Sequence, residues 1–163
     1  MTAKRYIYPA IILLAVVLLL SGERFVSSDR FCASCHSMSF SYREYKTTKH
    51  FVSPTGVRAG CSDCHLGKGP SKVVSIMRLV PSMLKEFTDP VRDEEGWDAR
   101  RKRLAERAIR DIGSDRERCR GCHDPSLIRH ASDRGRMEHK RGKGAGLHCI
   151  VCHRNLAHKE VEG

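Results

Sequence analysis

From Tyr6 to Leu20 the chain carries no charge, with Lys4-Arg5 before the run and Ser21-Gly22-Glu23-Arg24 after it. That pattern predicts a membrane-spanning helix. Tyr6 to Gly22 would rise roughly 25 Å against a hydrocarbon core of about 30 Å, a shortfall absorbed by thinning and by snorkelling of Lys4, Arg5 and Arg24. A cleaved signal has similar length, but no small-x-small site follows Leu20 and no cysteine stands there for lipidation. Residues 1–23 are therefore expected to stay as an uncleaved, single-pass anchor. The basic pair before the span places the N-terminus in the cytoplasm and the remaining chain outside it, which in a bacterium is the periplasm.

A second apolar periodicity follows the loop Lys68-Gly69-Pro70-Ser71: Val73, Ile76, Met77, Val80, Leu84 and Phe87 recur at helical spacing, with Pro81 expected to bend the run. Its apolar side either packs on buried prosthetic groups or rests in the membrane interface beside the anchor, with Lys72, Arg78 and Lys85 facing headgroups. Trp97 to Ile112 reads as a charged helix, Gly113 as its stop and Ser114 as the cap of the next helix. Strand signals are almost absent, so the fold class is mainly α with much irregular loop.

The candidate chemistry lies in Cys-x-x-Cys-His, which occurs four times and uses every cysteine: Cys32, Cys35, His36; Cys61, Cys64, His65; Cys119, Cys122, His123; Cys149, Cys152, His153. This unit attaches one c-type haem, two thiols adding to the vinyl groups and the next imidazole reaching the iron. With nine histidines in 163 residues, four such coincidences have a chance of about one in a hundred thousand on composition alone. Paired zinc knuckles need no histidine after every second cysteine and usually lie closer than the 25 or 26 residues between these pairs. Four covalent haems are the expectation.

Composition changes that picture in two ways. Only 6% of residues are aromatic, too few for an ordinary core, so the macrocycles are expected to serve as one. Residues 24–163 then form a single compact tetrahaem domain. The formal charge of +11 does not point to nucleic acid. Basic residues alternate with acids, as in Arg92-Asp93-Glu94-Glu95, and haem propionates would cancel much of the excess.

The haem sites fall into two halves, about 29–66 and 115–159, with a helical linker at 67–114. Cys32 to Cys61 is 29 positions and Cys119 to Cys149 is 30, with His50 11 before Cys61 and His139 10 before Cys149. The pattern suggests a duplicated di-haem unit in which His50 and His139 have matching roles as distal iron ligands. His130 competes with His139 for one such role, and the repeat favours His139. His148, directly before Cys149, is expected at the surface. His158 lies beyond its own iron's reach but near a neighbouring haem. Met38, two residues after His36, offers a thioether, which raises the potential of a haem it binds.

The runs Cys32-Ala33-Ser34-Cys35-His36-Ser37-Met38, Glu44-Tyr45-Lys46 leading to His50, Gly56-Val57-Arg58-Ala59-Gly60-Cys61-Ser62-Asp63-Cys64-His65, and Cys149-Ile150-Val151-Cys152-His153 ending in Leu156-Ala157-His158 resemble the NapC/NirT family of membrane-anchored tetrahaem quinol dehydrogenases, its NrfH-like members included. The resemblance spans nearly the whole chain. It implies that Met38 binds the first iron, leaving His36 off the metal beside an open face where quinol is oxidised. It implies further that His65, His123 and His153 are proximal ligands and that His158 serves the third haem. His50 makes an internal ligand possible for the second. A lysine and an acid after the second motif would form the quinol pocket, for which Lys68, Lys72 and Asp89 are the nearest candidates. The implied donor is menaquinol or ubiquinol, and the implied acceptor a periplasmic multihaem or molybdenum reductase such as nitrite or nitrate reductase. The alternative is a membrane-tethered electron shuttle without its own quinol site.

Overall fold

The structure, a computed structural model, describes the backbone of residues 3–159 and side chains from Tyr6 onward. The Lys4 and Arg5 side chains, on which the expected orientation rests, fall outside it. Among the described residues there are nine helices and no strand.

Helix α1 (Ala3–Val26) carries an apolar span over Tyr6–Val26, with a mean hydropathy of 2.0. The helix continues past Gly22 to Val26, but Glu23 and Arg24 stand in that last turn, so the uncharged run still ends at Gly22. Every side chain from Tyr6 to Phe25 is exposed, so the polypeptide itself covers no part of this surface.

Next come α2 (Asp29–Ser34) and α3 (His36–Tyr45), which pack together. The long α6 (Glu94–Gly113) is the scaffold of the outer domain. Against it lie α3, the short α4 (Cys61–His65) and α9 (Cys149–Cys152). It begins three residues before the expected Trp97, because the Asp93 carboxylate accepts from the Gly96 amide at 2.7 Å and Glu94 and Glu95 occupy the positive end of the dipole. Gly113 ends it as expected. Ser114 does not cap the next helix. Its hydroxyl donates back to the Asp111 carbonyl at 2.7 Å, and Asp115 instead receives the Glu117 amide at the start of α7 (Glu117–Arg120).

Helix α5 (Pro70–Thr88) takes in two residues expected to be loop, since Pro70 occupies the first helical position, where its missing N–H is harmless. The helix passes through Pro81 without ending. Its polarity is inverted. Ser71, Ser75 and Glu86 share the face that bonds to the protein, through Asp115, Arg118 and Ser37 respectively. The apolar stripe points away: Val73 is 63% exposed, Met77 66%, Leu84 62% and Phe87 86%. Helix α8 (Asp133–Gly144), unforeseen in the hydrophobic pattern, is capped by Ser132 and carries His139.

The apolar core of the described residues is Phe40, Val91 and Trp97, the two rings stacked at 5.8 Å; Tyr45 and Leu66 are the other buried apolar residues. Side chains this few cannot offset the ordering of some 140 residues, which is what a domain built around macrocycles requires.

Candidate redox centres

Each cysteine pair sits on or beside a short helical turn, and successive motifs touch. The Cys32 thiol bonds to Cys61, and that contact, with burial and Asp29, holds the Cys61 thiol well above its ordinary range. Burial and neighbouring Cys149 push Cys119 up to about 11. Burial raises Cys64 too, with Asp63 and then Cys122 adding to it. All eight sulfurs are free, and the sequence of contacts runs from the first motif through the second and third to the fourth.

The first motif differs locally. Cys35 is extended, at φ −75° and ψ 136°, so it ends α2 and His36 opens α3. In α4 the helix runs unbroken from Cys61 to His65. The His36 imidazole lies edge-on to Phe40 at 5.9 Å and its Nε2 is 3.1 Å from the Arg92 carbonyl oxygen. Met38 is 42% exposed.

The other three motif histidines each face a second imidazole. Ring centres are 6.2 Å apart for His65 and His158, 6.2 Å for His50 and His123, and 6.0 Å for His139 and His153. An imidazole nitrogen binds a first-row metal at about 2.0–2.1 Å and lies about 1.1 Å from its ring centre, so imidazoles on opposite faces of one ion have centres roughly 6.2–6.4 Å apart. The two separations of 6.2 Å fall in that range and the His139–His153 separation of 6.0 Å lies just below it, so each pair has the spacing to hold an iron. Burial lowers His65 to about 4, with His158 and Arg118 acting in the same direction, and burial likewise holds His158 below the usual histidine range. Both are therefore neutral, the form that binds metal.

These positions bear on which histidine would serve which haem. His158 stands over the second motif rather than the third, and His50 faces the third rather than the second. The reason is a fold-back of the chain end: Glu44 accepts from the Lys159 amide at 3.0 Å while holding Arg101 at 2.6 Å, which sets His158 between α3, α4 and α6. The expectation for His148 is corrected. It is 8% exposed, and its Nδ1 accepts from the Ile150 amide at 3.3 Å to cap α9. Its Nε2 therefore carries the proton, buried and without a protein partner among the described residues. Such a donor calls for an acceptor, and a haem propionate has the right chemistry.

Arg118 joins the middle motifs. Its guanidinium donates to the carbonyls of Cys64 at 3.1 Å and His65 at 3.2 Å, and to the Ser75 hydroxyl at 3.3 Å, with Asp115 at 3.4 Å. Gly67, at φ +71°, lets the chain pass beside this cluster; a Cβ there would lie 2.8 Å from the Ser71 hydroxyl and 3.1 Å from Asp115.

The expected quinol residues divide. Lys68 and Lys72 line a cavity of about 500 Å³ with Glu23, Asp63, Val73 and Ile76, where α1 meets the start of α5, and Lys72 pairs with Glu23. Asp89 lies beyond the opposite end of α5, 17 residues and roughly 25 Å along the helix. There it bonds Arg100 at 2.9 Å, which holds its carboxyl below the ordinary range. Asp89 and Lys72 are thus not brought together. The acid beside the first motif is Glu86, which accepts from the Ser37 amide at 2.7 Å. Sequence reasoning missed it because an acid on an amphipathic helix reads as solvated face.

Four attachment motifs, three facing imidazole pairs and an exposed apolar helix together define a tetrahaem c-type cytochrome, an electron carrier with a candidate membrane span. The family model described as NapC/NirT cytochrome c family, N-terminal region, matches residues 5–163. The chain belongs to the NapC/NirT cytochrome c family. It is 36% identical over 144 residues to the denitrification system component NirT of Stutzerimonas stutzeri, covering 84% of this chain and 71% of that one. It is 33% identical over 146 residues to the cytochrome c-type protein NapC of Haemophilus influenzae, at 85% and 70% coverage. The cytochrome c-type protein TorY of Haemophilus influenzae is 34% identical over 143 residues, 84% of this chain but 39% of the relative, so the chain spans about two-fifths of the TorY-type proteins it matches. No solved structure matches it.

Proposed function

We propose that this protein oxidises a membrane quinol and delivers the electrons to a reductase on the periplasmic side. The observation that carries the reading is the inverted α5, whose apolar stripe is exposed and whose first turns meet the end of the anchor at Glu23 and line the cavity holding Lys68 and Lys72. A lipid-soluble head group enters from such a surface without crossing water.

When bound, the haems supply one-electron redox chemistry. Their ligands in this reading are His65 with His158, His123 with His50, and His153 with His139. Met38 would hold the first iron, since His36 Nε2 already lies against the Arg92 carbonyl. Within the cavity Lys72 and Lys68 donate hydrogen bonds to the head-group oxygens and orient the ring. The Glu23 carboxylate, at the end of the anchor and half exposed, takes the hydroxyl proton and passes it to solvent. Asp89 has no part in this step.

The test is haem reduction by a quinol analogue in membranes, with dithionite as the control reductant. Lys72→Met combined with Glu23→Gln should slow quinol-driven reduction at least about tenfold, on the scale of a lost general base. Dithionite reduction should remain intact, and Asp89→Asn should change either rate less than twofold. An unchanged quinol rate in the double variant would favour the shuttle reading.

The first-haem assignment has its own measurement. Met38→Leu should abolish any thioether-ligand signature and quinol reactivity together, whereas His36→Ala should leave that signature in place. Loss of it in His36→Ala alone would return His36 to the ligand set.

A further inference from the structure

His130 has no place in the ligand assignment above, yet it is not an idle surface residue. Its Nδ1 lies 3.0 Å from the Nδ1 of His139, and the two rings are 4.7 Å apart at 37°. His139 also lies 6.0 Å from His153, with the rings nearly parallel at 18°. Of these two separations, only that between His139 and His153 leaves room for a metal ion.

Two ring nitrogens 3.0 Å apart need one proton between them. If His130 donated it, the neutral His139 would carry its own proton on Nε2 and have no lone pair for iron. If His139 donates from Nδ1, its Nε2 is free to bind and His130 accepts. Only the second arrangement is compatible with His139 as a ligand. A ligating imidazole that donates its other N–H is oriented by the acceptor and becomes a stronger base. A stronger donor favours the oxidised iron.

We propose that His130 is a positioning residue for the fourth haem, its Nδ1 accepting from the Nδ1–H of His139, fixing that ligand's tautomer and lowering the haem's reduction potential. The proposal rests on the reading of His139 as the distal ligand. Its place in the chain is suited to the role. His130 lies in the irregular segment before the Ser132-capped α8, and His139 lies on that helix, so α8 and the loop preceding it together set the angle between the rings.

The experiment is redox titration of the intact membrane protein with electron paramagnetic resonance of its low-spin signals, in wild type and in His130→Ala, His130→Gln and His139→Ala. The fourth haem is identified as the one that turns high-spin in His139→Ala. In His130→Ala all four haems should remain attached and the fourth should stay low-spin. Its redox equilibrium should shift about tenfold toward the reduced form, equivalent to about 59 mV for one electron. His130→Gln, whose amide oxygen still accepts, should recover most of that shift. A purely structural role for His130 would not give selective rescue of one potential by a hydrogen-bond acceptor.

A fourth-haem potential unchanged in His130→Ala overturns the proposal. So does conversion of that haem to high-spin in the same variant, which would make His130 the ligand itself. If instead His139→Ala leaves every haem as in wild type, the ligand reading fails and takes this proposal with it; the two failures are thereby distinguished.

Discussion

Alanine at His50 is expected to leave the third haem without its second ligand and the second haem undisturbed, while alanine at His158 does the reverse. Each variant should lose one of three bis-histidine low-spin signals and gain one high-spin signal, with electron transfer along the haem series interrupted at that point. The assignment follows from the 6.2 Å separations of His50 from His123 and of His158 from His65. Serine at Cys119 and Cys122 removes the third attachment site, and on that background His50→Ala should have no further spectral effect. If it still removed a low-spin signal there, the pairing would be wrong. The loop that carries His50 is braced independently of any haem. Its carbonyl accepts from the Ala59 amide at 3.1 Å, and Arg58 covers the Phe51 ring at 4.0 Å. The variant should therefore fold, and its effect should be on ligation.

Arg118→Ala is expected to have the largest effect on stability. The side chain is nearly inaccessible and serves two carbonyls, a hydroxyl and a carboxylate from α4, α5 and the approach to α7. Its removal strands the part-buried carbonyls of Cys64 and His65 and the buried hydroxyl of Ser75, and leaves Asp115 without its cation. The cost of breaking a buried, hydrogen-bonded charge cluster is about 3 kcal/mol or more, or roughly 10 °C in Tm for a domain of this size. Because the cluster joins the second and third motifs, haem content should fall at those two sites before the first and fourth. Lysine should recover little, since a single ammonium cannot reach partners arranged around a planar fork. A melting curve and haem count matching wild type would show that the middle motifs hold together without it.

Much of the redox site was legible because covalent attachment leaves a local signature. The four Cys-x-x-Cys-His units and the uncharged run from Tyr6 depend on residues close in sequence, as does the placing of His50 and His139, 11 and 10 residues before a cysteine. Most of the differences come from contacts distant in sequence. The cap before α7 is a local one: Ser114 has the residue type for it, but Asp115 is a residue nearer α7 and takes the amide. His148 was read as surface from its position before Cys149, whereas the packing of α9 on α6 buries it. The resemblance offers Asp89 and Lys72 for one pocket, and the length of α5 separates them. Spacing recognised the apolar stripe of α5 but was silent on which way it turned. The direction was set by the polar residues opposite, since Ser71, Ser75 and Glu86 found partners only toward the domain.

By itself, then, the sequence determined how many haems the chain binds, that its first helix is apolar enough to span a membrane, and which imidazoles are candidates for iron. These depend on bonds and periodicities within a few residues, where chain geometry leaves little choice. Only the tertiary structure decided which histidine lies against which motif, that His130 bonds His139, and that Glu86 rather than Asp89 adjoins the first motif. Those relations join segments tens of residues apart. They are settled by the burial of Arg118, by Glu44 drawing the chain end onto α3, and by the caps that start α6 and α8, none of which is expressed in the spacing of the motifs themselves.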